Sequence, residues 1–261
     1  MTGSYLLESE NRPLPLQRMY GPPAGIDFEF SFAFQPIVDV LKCEIISFEA
    51  LVRGPHGEPS SFVFAKVSSE NICCFEDACR RKAIWMANRL KVPHNLNINM
   101  FAQGLYRVDL NISATFQASQ DSGFPVENII LEITESESLT DRRNLLQFLR
   151  LYQDFGFTTA IDDFGTGYSG LKLLVEYQPN YVKLDRQLIA NIHQNYVKQS
   201  IVSGIRNICD RLAIEVMAEG VETALEYHWL RSIGVNIFQG YYFARPTFES
   251  LPEVAAELYA A

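Results

Sequence analysis

Thr158-Thr-Ala-Ile-Asp-Asp163 is a β-branched, apolar run of the kind that forms a buried strand, and it ends in two adjacent carboxylates. A buried strand has no structural need for such groups, and leaving one unpaired away from water costs free energy. The same pattern recurs along the chain, where acidic or amide residues close other apolar runs: Glu49, Asn99, Glu132, Asp185 and Glu219. So many oxygen donors at successive strand ends imply a shared counter-charge. A divalent metal ion is the simplest candidate.

Length and charge limit the class of protein. With 261 residues, of which 48% are apolar, the chain can form one large domain or two small ones. A net charge of −9 argues against a nucleic-acid polymer or an anionic membrane as the main partner. It does not exclude a phosphate-bearing substrate, because bound divalent cations reverse the local electric field.

Targeting signals are not visible in the sequence. No apolar run reaches the ~18 residues that span a bilayer, and no secretory signal stands at the N-terminus. We therefore expect a cytoplasmic protein, or the cytoplasmic part of a longer one, that does not bind membranes.

The cysteines are interpreted as free, structural thiols. Their odd number and the expected compartment argue against a disulfide framework. A zinc site formed by the closely spaced Cys73, Cys74 and Cys79 is the alternative, but this spacing lacks a paired C-x-x-C and lies in a predicted amphipathic helix. The five cysteines are Cys43, Cys73, Cys74, Cys79 and Cys209.

The pattern of the chain changes near residue 28. Residues 1–27 are rich in proline and glycine and show no periodicity, which predicts a flexible leader or linker before a domain at 28–261. Strands are predicted near 30–39, 44–52, 95–100, 128–134, 157–163, 180–185, 213–218 and 235–243. Helices are predicted near 61–70, 74–90, 138–155, 167–176, 195–211, 222–233 and 248–259, with room for shorter helices between.

Eight strands alternating with helices predict an α/β fold with a parallel sheet, either closed or doubly wound. The first two strands are joined only by Asp39-Val-Leu-Lys-Cys43, too short for a helical crossover, so they should pair antiparallel. Polar residues at many strand ends favour a barrel over a doubly wound sheet, whose site would lie at one switch point. No glycine-rich phosphate fingerprint follows the first strand. We predict a modified TIM-type (β/α)8 barrel with an antiparallel first strand.

Several motifs stand in order along the chain, each at a predicted strand end. They are Gln35-Pro-Ile37, Phe48-Glu-Ala-Leu-Val-Arg53, Leu131-Glu-Ile-Thr-Glu-Ser136, Asp162-Asp-Phe-Gly-Thr-Gly-Tyr-Ser169, Lys183-Leu-Asp185, Ala218-Glu-Gly-Val-Glu-Thr223 and Gln239-Gly-Tyr241. Together they resemble the motifs of the EAL domain, the family of cyclic di-GMP phosphodiesterases, whose name is the signature Glu49-Ala-Leu51. A single triplet would be weak evidence, whereas the ordered set is specific.

The resemblance implies two metal ions per site. One would be held by Glu49, Asn99, Glu132 and Asp162, and the second by Asp162, Asp163 and Glu219. Asn97 competes with Asn99, because residues two apart point to the same face of a strand. Oxygen ligands without histidine or cysteine favour Mg²⁺ or Mn²⁺, and Ca²⁺ is expected to inhibit because its coordination is larger and looser.

The resemblance also assigns catalytic and substrate-binding roles. Lys183 would lie beside the attacking water or the phosphate, and Glu219 is either a ligand or the general base. Arg53 resembles a phosphate-contacting arginine, whose planar fork suits a phosphodiester. The predicted catalytic residues are Lys183, Glu219 and Asp162, and the predicted substrate-binding residues are Gln35, Leu51, Arg53, Asp185 and Gln239.

The resemblance implies that the loop after the Asp162-Asp163 pair supports metal binding and dimer contacts and that Glu135 holds it in place. Alternatively, Glu135 could simply cap the helix that follows it. Glu222 is either a residue behind the metal ligands or an acid in the first turn of the next helix, where the helix dipole favours it. The loop residues are Phe164, Gly165, Thr166 and Gly167.

The residues alone indicate a two-metal phosphoryl-transfer site in a barrel. The resemblance implies the substrate, so the leading hypothesis is a metal-dependent phosphodiesterase that hydrolyses cyclic di-GMP to linear 5′-pGpG by two-metal, in-line attack of water. The alternative is a catalytically silent cyclic di-GMP receptor that signals through a protein partner. A protein-interaction module without nucleotide and an unrelated metal-dependent lyase are further hypotheses. A homodimer is expected from the resemblance alone.

Overall fold

The computed structural model of the chain describes residues 25–100, 108–135, 142–167 and 170–259. Its strands are β1 (Ser31–Asp39), β2 (Glu44–Arg53), β3 (Asn95–Met100), β4 (Ile129–Thr134), β5 (Thr158–Phe164), β6 (Tyr181–Leu184), β7 (Glu215–Ala218), β8 (Ile237–Phe238) and β9 (Thr247–Phe248). Its α-helices are α1 (Ser60–Phe64), α2 (Ile72–Arg89), α3 (Val108–Ser122), α4 (Arg142–Asp154), α5 (Gly170–Glu176), α6 (Arg186–Ile189), α7 (Tyr196–Arg211) and α8 (Ala224–Ser232).

The first eight strands form a closed barrel. From β2 to β8 each strand lies parallel to the next in chain order. β1 closes the barrel by pairing antiparallel with both β2 and β8. β9 is an additional strand that pairs antiparallel with β1. The predicted α/β barrel with an antiparallel first strand is confirmed.

Helices cover the outside of the barrel with apolar side chains. In α4, Leu145, Phe148, Leu149 and Tyr152 are fully or almost fully buried and recur at helical spacing, so one stripe of this helix faces the core. Among the described helices, none combines the length and the apolar character needed to cross a membrane.

The predicted helix at 248–259 is wrong. Phe248 ends β9, and the only helical element in this stretch is a 3₁₀ turn at Ala256–Leu258. The pairing of β9 with β1 overrides the helix propensity of the alanine-rich tail, and Pro252 disfavours a helical conformation for Leu251.

The last barrel strand is much shorter than the predicted strand at 235–243. A Cβ at Gly240 would lie 2.1 Å from the carbonyl oxygen of Val221, so the chain passes this backbone where no side chain fits. Backbone hydrogen bonds from Val221 to Gln239 (3.1 Å) and from Tyr242 to Val221 (3.0 Å) replace regular strand pairing here.

The N-terminal part of the predicted leader, residues 1–24, lies outside the described residues. Ile26 and Phe28 are buried in the core. The boundary between leader and domain at residue 27 stays a prediction.

Candidate active site

The oxygen donors named from the sequence lie together at the carboxyl ends of the parallel strands. Because these strands run in one direction around a barrel, their ends share one rim. The six donors come from five places in the chain: Glu49 from β2, Asn99 from β3, Glu132 from β4, Asp162 and Asp163 from β5, and Glu219 directly after β7.

Lys183 of β6 lies at the centre of this cluster. Its fully buried Nζ is 2.6 Å from Glu132 Oε1, 2.5 Å from Glu219 Oε1, 3.2 Å from Asp162 Oδ1 and 3.7 Å from Glu49 Oε2. The lysine therefore contacts carboxylates from four different strand ends, which excludes a solvated surface position for it.

An amide network fixes the carboxylate of Glu49. Asn99 Nδ2 donates to Glu49 Oε1 at 2.8 Å, and Gln239 Nε2 donates to Glu49 Oε2 at 2.8 Å. Gln35, which is paired with Glu49 across the β1–β2 hairpin, donates from Nε2 to the carbonyl of Ala244 at 3.1 Å. The predicted groove residues Gln35 and Gln239 thus lie at the site.

The two asparagines of β3 occupy different environments. Asn97 is fully buried, donates to Glu132 Oε1 at 2.6 Å and accepts the hydroxyl of Ser47. Asn99 is only half-buried, and its amide nitrogen donates to Glu49, so its carbonyl oxygen is the atom it could offer to a cation. Asn99 stays the predicted ligand, and Asn97 is hydrogen-bonded to Glu132 instead. From the sequence, Asn97 was expected only as a competing ligand.

Glu135 holds the loop that follows the aspartate pair. Its Oε2 accepts backbone N–H groups from Gly165 at 2.8 Å and Gly167 at 3.2 Å, and its Oε1 accepts that of Gly170 at 2.6 Å. A Cβ at Gly167 would lie 2.9 Å from Glu135 Oε1, so glycine permits this close approach. The geometry matches the predicted holding role of Glu135. Tyr168 and Ser169 of the same motif, and Ser136 beside Glu135, lie outside the described residues.

The backbone of Asp163 adopts an unusual conformation. Its φ is 53°, in the left-handed region, and its N–H donates to Asp162 Oδ1 at 2.9 Å. Next in the loop, Phe164 is buried, and the hydroxyl of Thr166 donates to the carbonyl of Asp163 at 2.8 Å. This geometry turns the two adjacent carboxylates toward the same cluster.

The cluster carries more negative charge than its one lysine neutralises. Burial raises the pKa of Glu132 and Glu219 well above the ordinary value, with neighbouring carboxylates adding to the rise and Lys183 opposing it. Burial, Asp162 and Asp185 raise the pKa of Asp163 to about 6. Burial lowers the pKa of Lys183, but the four carboxylates outweigh it and hold that pKa well above the ordinary value. The site therefore favours additional cations.

Other predicted residues lie at the rim with different contacts. Leu51 and Arg53 lie two and four residues after Glu49 in β2, so their side chains are on the same face of the strand as that of Glu49. Arg53 Nη1 donates to the carbonyl of Val52 at 2.7 Å. Asp185 caps α6 by accepting the N–H of Gln187 at 2.7 Å, so a local structural role is visible for it.

The interpretation of Glu222 as an acid in the first turn of a helix is wrong. α8 begins at Ala224 after the capping residue Thr223, and Glu222 instead forms an exposed, two-contact ion pair with Arg186, at 2.6 and 3.1 Å. The acid of the first turn is Glu226, which completes a capping box with Thr223. The pattern Thr-x-x-Glu is the sequence signal that could have located this box.

The donor set fits divalent metal ions. Oxygens of Glu49, Glu132 and Glu219 come within 4.8 Å of one another, as do those of Asp162, Asp163 and Glu219. The second group is the predicted ligand set of the second metal ion. Glu132 Oε2 is buried and has no hydrogen-bond partner among the described residues, as expected for an atom that binds a cation.

The cysteines do not contribute to this site. All five are free, and the two potential metal-binding groups found among the described residues contain carboxylates alone.

Comparison with known families matches residues 26–246 to the EAL domain. The chain belongs to the EAL domain family. Over 225 residues it is 33% identical to the blue light- and temperature-regulated antirepressor BluF of Escherichia coli K12, covering 86% of this chain and 56% of that protein. Over 227 residues it is 30% identical to the probable cyclic di-GMP phosphodiesterase PdeG of the same organism, covering 82% and 44%. The chain thus spans about half the length of these curated EAL relatives.

Solved EAL structures share the fold. A standalone versatile EAL protein from Vibrio cholerae O395, in its c-di-GMP-bound form, superposes with a TM-score of 0.86 at 44% identity, covering 90% of this chain and 99% of that one. BlrP1 of Klebsiella pneumoniae, as its manganese/cy-diGMP complex at pH 9.0, gives 0.80 at 35% identity, covering 89% and 60%.

Proposed function

We propose that this EAL domain hydrolyses cyclic di-GMP to linear 5′-pGpG with the help of two Mg²⁺ or Mn²⁺ ions. The observation that carries the proposal is the convergence of four carboxylates on one buried lysine, with Asp163 as a fifth carboxylate beside Asp162 and Glu219. Five carboxylates and one ammonium leave a formal charge of −4, which two divalent cations neutralise. The names of PdeG and of the ligand-bound EAL structures support the substrate.

The proposed ligands of the second ion are the second group of oxygens, whereas those proposed for the first ion share only Glu49 and Glu132 with the first group. Glu49, Asn99, Glu132 and Asp162 would hold one ion, and Asp162, Asp163 and Glu219 the other. Bound ions of this kind lower the pKa of a water molecule and neutralise charge on a phosphodiester.

The protein's own groups would orient the reaction. The oxygen of a water attacks the phosphorus, the bond from phosphorus to O3′ breaks, and the products are a 5′-phosphate and a 3′-hydroxyl. Lys183 would hold the water or a phosphate oxygen as a compact positive charge. Glu219 would take up the proton of the water, because its side chain is 16% exposed whereas that of Glu132 is fully buried.

Substrate contacts are proposed along the rim. Arg53 would bind phosphate oxygens with its planar fork, since it shares the face of β2 that carries Glu49. Leu51, Gln35, Gln239 and Asp185 would line the groove for one half of the dinucleotide.

A receptor without catalytic activity is the second candidate. It is favoured by the likeness to BluF, which is named as an antirepressor and not as a hydrolase. The complete set of carboxylates and the lysine favour the enzyme, because a receptor has no need of a metal-binding cluster.

Product chromatography tests the proposal. The chain is incubated with cyclic di-GMP and Mg²⁺, Mn²⁺, Ca²⁺ or EDTA. Linear pGpG is expected with Mg²⁺ or Mn²⁺, and none with EDTA or Ca²⁺. Cyclic di-GMP that is bound but stays intact with every ion would favour the receptor. A nucleotide that neither binds nor reacts would contradict both candidates.

A homodimer in the cytoplasm belongs to the same proposal, on the family resemblance. Light scattering after size-exclusion chromatography tests the dimer, and a monomer mass at micromolar concentration would contradict it.

A further inference from the structure

We infer that Lys183 has a second role, as the built-in counter-ion that keeps the carboxylate cluster folded when metal ions are scarce. This inference deepens the proposed function and rests on it only for the identity of the metal ligands. It concerns the energetics of the fold and not the chemical step.

The first observation is the position of the ammonium group. Four carboxylates lie within 2.5–3.7 Å of Lys183 Nζ, and the lysine side chain is fully buried. Among the described residues, Lys183 is the cation that forms ion pairs with these four carboxylates. Removing its charge would leave several buried carboxylates without a positive partner, which is strongly unfavourable.

The second observation is the neighbourhood of Glu132. This side chain is also fully buried. Lys183 Nζ and Asn97 Nδ2 both lie 2.6 Å from its Oε1, whereas its Oε2 has no hydrogen-bond partner among the described residues. One oxygen of this carboxylate is therefore stabilised by the lysine and the asparagine, and the other is buried without a hydrogen-bond partner among the described residues.

The consequence is a competition between two kinds of cation. An ammonium group beside metal ligands repels a divalent ion, so the lysine weakens metal binding while it stabilises the metal-free fold. A neutral side chain of similar length, as in Lys183→Met, should invert both effects.

The test compares wild type, Lys183→Met and Lys42→Met. Lys42 is exposed, pairs with Asp39 in the β1–β2 turn and serves as the control for an equal loss of charge. Melting temperatures are measured in EDTA and in Mn²⁺, and Mn²⁺ affinity is measured by calorimetry. In EDTA, Lys183→Met should melt at least about 5 °C below wild type. With Mn²⁺ it should gain more in melting temperature than wild type and bind the ion about tenfold more tightly or better.

A second variant separates charge from packing. Neutralising a partner, as in Lys183→Met/Glu132→Gln, should restore part of the melting temperature lost in EDTA by Lys183→Met alone. A role limited to filling space would give no such rescue. This variant also keeps the inference testable if Lys183→Met fails to fold.

The outcomes distinguish this inference from the proposed function. Equal melting temperatures of wild type and Lys183→Met in EDTA, absence of rescue, or weaker Mn²⁺ binding by Lys183→Met would overturn the counter-ion role, even if wild type hydrolyses cyclic di-GMP. If neither protein binds Mn²⁺, the proposed function fails. Loss of stability with rescue in EDTA would then still support the counter-ion role, and its absence would still overturn it.

Discussion

Gln239 Nε2 donates a 2.8 Å hydrogen bond to Glu49 Oε2, and this contact joins the ends of two strands that lie on opposite sides of β1. Both residues are buried. Since β1 lies between β8 and β2, the contact connects the place where the barrel closes to the rim that carries the proposed metal ligands. We therefore expect loss of this hydrogen bond to weaken metal binding at the proposed site.

We predict that Gln239→Leu weakens Mn²⁺ binding by about tenfold, since a residue that orients a metal ligand typically contributes this much. Calorimetry of Mn²⁺ binding provides the measurement. Gln194→Leu, at an exposed position of similar chemistry, is the control and should bind Mn²⁺ as wild type does. Equal affinity in Gln239→Leu would show that the hydrogen bond does not position Glu49.

Gly165→Ala should destabilise the fold by at least about 2 kcal/mol. The residue has φ = +98°, and an added Cβ would lie 2.4 Å from Leu188 Cδ1. Gly123→Ala separates the two causes, because Gly123 also has positive φ (+77°) but open space around its Cβ. Urea unfolding should give a loss of about 1 kcal/mol for Gly123→Ala. Equal losses of unfolding free energy in both variants would show that the contact with Leu188 does not contribute to the destabilisation.

Gly204→Ala should instead increase the stability of the fold. Gly204 lies inside α7, is exposed, and an added Cβ would meet no atom within 4 Å. Alanine restricts the unfolded chain and favours helix, so a gain of about 0.5–1 kcal/mol is expected in urea unfolding. A loss of stability would mean that this helix face requires close contact.

Thiol reactivity should divide the cysteines by burial. Burial raises the pKa of Cys209 to about 11 and also raises that of Cys79, so both lack thiolate at neutral pH. Cys43 and Cys73 are exposed and should react rapidly with a chromogenic disulfide at pH 8. Titration in urea, where all five react, is the control. Rapid labelling of Cys209 in the folded protein would contradict its placement.

Much of the site could be predicted because buried carboxylates are conspicuous. Glu49 and Glu132 interrupt apolar runs, and a parallel barrel brings such strand ends together whatever the details of the loops. The antiparallel pairing of β1 with β2 followed from the shortness of their connection.

Other features depend on tertiary contacts that leave little trace in the sequence. The helix α3 is hard to recognise because its buried stripe includes the polar residues Thr115 and Ser119. The tail after β9 is not helical because Thr247 and Phe248 pair with β1, a partner more than 200 residues away in the chain. Predicting the four contacts of Lys183 would have required knowing that its long side chain turns inward.

The number of Mn²⁺ ions bound per chain, measured by equilibrium dialysis with cyclic di-GMP present, tests the two-metal site most directly when wild type is compared with Glu49→Ala. Glu44→Ala, at the first residue of the same strand, is the control. We predict two bound ions in wild type and in Glu44→Ala. In Glu49→Ala, one ion should bind at least about 100-fold more weakly. This loss of affinity is larger than the loss that follows mutation of a residue that only orients a metal ligand. Absence of bound Mn²⁺ in wild type, or undiminished binding in Glu49→Ala, would contradict the proposed site.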